Sequence, residues 1–73
     1  MNLLLPVVSG KDVIKALSKI GYYVRDKKGS HVHLRHPYRK PLTVPDHPEI
    51  AKGTLREIIK VAGLTVEEFL ELL

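Results

Sequence analysis

Between Gly29 and Arg35 the chain reads Gly-Ser-His-Val-His-Leu-Arg, and the alternation in its last five residues constrains the fold more than any other stretch. Side chains alternate across a β-strand, so Val32 and Leu34 face a core while His31, His33 and Arg35 share the opposite, solvated face. Upstream, Tyr22, Tyr23 and Val24 favour a strand, and Lys27-Lys28-Gly29-Ser30 reads as a hairpin turn. Downstream, past a turn at His36-Pro37-Tyr38-Arg39-Lys40, Leu42-Thr43-Val44 repeats the alternation. Pro41 and Pro45 bracket that segment, and proline has no N–H to give a ladder, so a short or edge strand is expected. These segments predict a three-stranded antiparallel meander with one wet face.

Helices flank the meander. Ser9 is a natural N-cap with acidic Asp12 at N3, and Val13, Ile14, Leu17 and Ile20 recur at helical spacing. Gly21 supplies a C′ residue, ending this helix near Ile20. After the loop from Asp46 to Lys52, Gly53-Thr54 opens a second helix with Leu55, Ile58, Ile59 and Ala62 as its buried stripe and Gly63 as its stop. Thr65-Val66-Glu67-Glu68 is a capping box, with Leu64 and Phe69 placed for a hydrophobic staple, so a short third helix runs from Val66. The predicted fold is α+β: α-β-β-β-α with a short extra C-terminal helix, the helices on one face of the sheet.

A chain of 73 residues makes one domain, expected to span 1–73, with a small core and modest stability. It has no cysteine, which removes disulfides, thiolate metal sites and a cysteine nucleophile from consideration and fits a cytoplasmic protein. The apolar N-terminus MNLLLPVVSG lacks a basic lead and a cleavage site and is too short to span a bilayer, so it is expected to pack on the core. The net charge of +4 is unevenly spread. Six Lys or Arg and one acid lie between Arg25 and Lys40, whereas the end of the chain carries three glutamates and no base. A basic middle points to an anionic partner.

Three of the four histidines, His31, His33 and His36, fall within this basic stretch. A metal site is disfavoured: structural sites want four ligands, no carboxylate pair completes the set, and the surrounding cations oppose a bound cation. Serine-nucleophile chemistry is disfavoured because Ser30 and His31 are strand neighbours pointing to opposite faces. Gly29 and Gly53 are isolated and make no nucleotide-binding loop.

RNA cleavage needs less. The 2′-hydroxyl is the nucleophile, so the protein supplies a general acid or base near neutral pH and cations to hold the phosphate. Histidine meets the first demand, and a cationic setting favours its neutral, basic form. Lys27, Lys28, Arg35, Arg39 and Lys40 meet the second. No metal or cofactor is required.

The ordered motifs resemble those of HicA-type toxins, the YcfA-like mRNA interferases of toxin–antitoxin systems. The resemblance runs from about Val8 to Phe69. It rests on the amphipathic first helix, Gly29-Ser30-His31, Val44-Pro45-x-His47, Gly53-Thr54-Leu55-Arg56, and Ala62-Gly63-Leu64-Thr65 followed by Glu67-Glu68-Phe69. It implies a double-stranded-RNA-binding-domain-like fold, endoribonuclease activity on mRNA, and a HicB-type antitoxin that masks the basic face. It also implies that the catalytic residue is the histidine of the Gly-Ser-His motif, here His31. The expected RNA contacts are Lys27, Lys28, Ser30, His33, Arg35, Arg39 and Lys40, with His47 and Lys52 as secondary candidates. Two rival readings carry no chemistry. One is a non-catalytic RNA-binding module; the other is an inactive remnant that acts only by binding a protein partner.

Overall fold

The structure, a computed structural model, describes residues 4–73. Helix α1 (Gly10–Ser18) leads into strands β1 (Tyr23–Lys28), β2 (His31–Arg35) and β3 (Leu42–Pro45), followed by α2 (Lys52–Val61) and α3 (Val66–Leu72). The strands form one antiparallel sheet in the order β1-β2-β3. This is the α+β, α-β-β-β-α-α order that the periodicities predict.

Local chemistry explains the helix starts. Ser9 Oγ accepts the Asp12 N–H at 3.1 Å, and Asp12 Oδ2 accepts the Ser9 N–H at 3.1 Å. Thr65 and Glu68 repeat the reciprocal pair at 3.1 and 2.9 Å, so both capping boxes form. Helix α2 starts at Lys52, ahead of the expected Gly53-Thr54, behind Ala51, which offers no side-chain cap. Its buried stripe of Leu55, Ile58 and Ile59 therefore carries it. Helix α1 ends earlier than its apolar pattern suggests: Lys19 is the C-cap, and Gly21 takes φ 105° in the turn beyond it.

The core gathers Val13 and Leu17 of α1, Val32 and Leu34 of β2, Val44 of β3, Leu55 and Ile59 of α2, and Phe69 of α3. Full burial of such side chains stabilises the fold by roughly 1.5–3 kcal/mol each. Leu5 and Val8 join this cluster, so the described part of the N-terminal segment does pack on the core; residues 1–3 lie outside the described residues. Gly10 marks where α1 docks on the sheet. A Cβ there would collide with the Pro45 carbonyl oxygen, and its N–H donates to His47 O at 2.9 Å.

The hairpin corrects one expectation. Lys27 and Lys28 lie in β1, paired with Val32 and His31, and the turn is only Gly29-Ser30. Gly29 has φ 58° and Ser30 is not left-handed, the pattern of a II′ turn whose twist suits a hairpin. Tyr22 falls outside the strand. It is buried, with its hydroxyl donating to Lys40 O at 2.8 Å, and burial pushes its phenol pKa up. Helices α1 and α2 pack over β3, so β1 projects outward as an exposed edge with Tyr23 and Val24 about half exposed.

Candidate functional site

Paired residues of an antiparallel ladder share a face, so the register maps the wet side of the sheet. Val32 and Leu34 are buried, and His31, half-buried His33 and Arg35 face out. Lys28 and Pro45 flank His31; Asp26 and Thr43 flank His33; Tyr23 lies beside Arg35. The ladder slips between Val24 and Asp26, making Arg25 the extra residue of a β-bulge. The slip shifts Asp26 and Lys28 onto the histidine face. Arg25, His33, Arg35 and Thr43 then line a shallow groove of about 310 Å³ across the strands.

Two neighbouring histidines of β2 differ in their surroundings. The His31 ring is exposed at the end of the turn and holds no hydrogen bond among the described residues. The His33 ring is tied down: Nδ1 lies 2.5 Å from Asp26 Oδ1. That hydrogen bond from His33, helped by the charges of Arg25 and Lys28, holds the Asp26 carboxyl below the usual carboxylate range.

Several expected RNA contacts point elsewhere. Lys27 pairs with buried Val32, so it leaves the sheet on the helix side, where its Nζ meets Asp46 Oδ2 at 2.6 Å. Arg39 Nη1 donates to Ala62 O at 2.7 Å and closes the C-terminus of α2, where a cation is favoured. Lys52 Nζ donates to Leu5 O at 3.0 Å, and His47 lies with Ser9, Lys11 and Asp46 at the start of α1. Ser30 and Lys40 are exposed, with the Ser30 carbonyl accepting the Asp46 N–H at 2.6 Å. Of the expected contacts, the wet strand face brings together Lys28, His33 and Arg35 around His31.

His36 is a latch. Its Nδ1 accepts the N–H groups of Tyr38 and Arg39 at 3.2 and 3.1 Å, which makes Nε2 the donor to Ile20 O at 2.7 Å. Edge contacts with Tyr22 and Tyr38 complete its packing. Among the described residues, no three His, Asp or Glu side chains converge as ligands of a cation would.

The family model of the HicA toxin, the toxin of bacterial toxin–antitoxin systems, matches residues 10–64. The chain belongs to the HicA toxin family. A solved structure described as a toxin–antitoxin complex from Streptococcus pneumoniae contains a similar chain, 36% identical, with a TM-score of 0.70 over 78% of this chain and 98% of that one. A search of curated proteins returns no match.

The span matched to the HicA family contains the whole wet face. Two members of that face, Arg25 and Asp26, escape sequence reasoning. Regular alternation from Tyr23 would send Asp26 to the buried side, and only the bulge reverses it. A charged Arg-Asp pair inside a strand pattern is the one signal of such a slip.

Proposed function

We propose that this HicA-family protein is an mRNA interferase: a metal-independent endoribonuclease in which His31 serves as general acid or base. The observation that carries the reading is the placement of His31. It stands exposed beside Lys28 and in line with Arg35 on one solvated sheet face, where an extended RNA backbone has access. Lys28, Arg25 and Arg35 hold phosphates, with Ser30 and Lys40 at the margins, and phosphate contacts of this kind give affinity without base reading. The 2′-hydroxyl of single-stranded RNA adjusts freely to in-line attack. Family membership supports the same chemistry.

The partner follows from the same face. A HicB-type antitoxin would cover the wet side of β2 and exclude RNA, a reading supported by the description of the Streptococcus pneumoniae structure as a toxin–antitoxin complex. No described helix is long and apolar enough to cross a membrane, and the proposed site of action is the cytoplasm, where mRNA is found. The test is direct: purified protein incubated with a defined single-stranded RNA in EDTA. Cleavage that persists in EDTA and stops on adding the antitoxin supports the reading. Intact RNA, or cleavage only with added metal, contradicts it.

A further inference from the structure

The Asp26–His33 pair has no role in that reading. His33 is half-buried, its Nδ1 is held by a carboxylate at 2.5 Å, and the bulge at Arg25 is what brings that carboxylate onto its face. The carboxylate fixes the ring's orientation and favours a proton on both ring nitrogens, which is what a group that must deliver a proton needs. The geometry points to His33, oriented by Asp26, as a second proton-transfer group: the general acid that protonates the leaving 5′-oxygen. This inference rests on the endoribonuclease reading and assigns the half of the reaction that His31 leaves open.

The chemistry fits the spacing. His31 and His33 project from the same face of β2, about 7 Å apart along the strand. Asp26 accepts a hydrogen bond from the Nδ1–H of His33, which leaves Nε2 as the nitrogen free for proton transfer beside the groove that His33 lines. The carboxylate also offsets the charge that the ring bears while Nε2 holds a proton. In the reaction, neutral His31 takes the proton of the 2′-hydroxyl, and the 2′-oxygen forms a new bond to phosphorus. The bond from phosphorus to the 5′-oxygen breaks, and that oxygen takes the Nε2 proton of cationic His33. A 2′,3′-cyclic phosphate and a free 5′-hydroxyl result. His31 ends protonated and His33 neutral, and proton exchange with water resets both. Asp26 touches no reacting atom; it is a positioning residue.

The test compares two RNAs cleaved by the full chain, one ordinary and one with a 5′-bridging sulfur at the scissile position. A thiolate leaves without a proton, so it bypasses the acid. His33→Ala should slow the ordinary RNA by about 10²–10⁴-fold, the usual worth of a positioned acid. It should recover to within about tenfold of wild type on the sulfur-bridged RNA, whereas His31→Ala stays slow on both. Asp26→Ala should lower kcat on ordinary RNA with KM unchanged, and sulfur should rescue it too. His33→Gln, which preserves bulk and polarity, guards against a folding defect and should behave like His33→Ala. Equal loss on both RNAs, or an unchanged rate on ordinary RNA, overturns the assignment. If the wild-type chain cleaves neither RNA, the endoribonuclease reading itself fails and this one falls with it.

Discussion

Lys27 Nζ stands 2.6 Å from Asp46 Oδ2, an ion pair that joins β1 to the segment after β3 on the helix side of the sheet. Its neighbour Lys28 points to the other side, beside His31. Adjacent lysines of one strand therefore do different things. Lys28→Glu should weaken RNA binding, most strongly at low salt, and flatten the salt dependence of the affinity. Lys27→Ala should leave that slope intact and cost little stability, as for other exposed pairs. Titrations of both variants at two salt concentrations check this, and equal effects would mean that the face assignment is wrong.

Arg39 should behave as a structural residue. Its guanidinium caps α2 through Ala62 O, with Nε buried among the described residues without a partner. Arg39→Ala is expected to lower stability by about 1–2 kcal/mol, the range of a partly buried cation at a helix end. RNA affinity per folded molecule should stay within about twofold, because Arg39 holds no place on the wet face. Urea melts alongside binding measurements separate the two effects.

The His36 latch predicts a severe backbone substitution. Gly21 has φ 105°, and a Cβ there would come within 2.9 Å of His36 Nε2. Gly21→Ala combines backbone strain with displacement of the Nε2–H bond to Ile20 O, so a loss of about 2–4 kcal/mol is expected. For a domain this small that lowers Tm by about 8 °C or more. Calorimetry of Gly21→Ala beside His36→Ala checks the origin: the second change should be the milder.

Acid should destabilise the fold in a defined window. Hydrogen bonds from Ser9 hold the Asp12 carboxyl below its ordinary value of 3.8, and those from Thr65 lower Glu68 from 4.5. Lys27 does the same for Asp46, and His33 for Asp26. A carboxyl whose folded pKa is depressed contributes stability above its unfolded pKa, and that contribution is lost as pH falls through the folded value. Through these carboxyls, stability should decline from about pH 4 downward. Urea midpoints across that range test it, and Glu68→Gln should shallow the decline.

Much of this architecture is legible in the residues. Alternation in His31–Arg35 sorts core from wet face, and both capping boxes announce their helices, because each signal is local. The rest depends on contacts distant in sequence. Lys27 and Lys28 resemble turn residues until pairing with β2 extends β1 through them. The bulge at Arg25 exists only as a mismatch between two strands. Arg39 has the look of a phosphate contact, yet a helix end 23 residues away claims it. His36, one of three clustered histidines, is recognised as structural only once Ile20 and the Tyr38–Arg39 turn close around it.

The central claim is that His31 performs chemistry on RNA, and cleavage by His31→Ala is its most direct measurement. Purified His31→Ala should match the wild-type far-UV CD spectrum and Tm, bind single-stranded RNA, and leave it uncut in EDTA while wild type cleaves it. A folded His31→Ala protein that still cleaves that RNA at a rate near wild type would contradict the account.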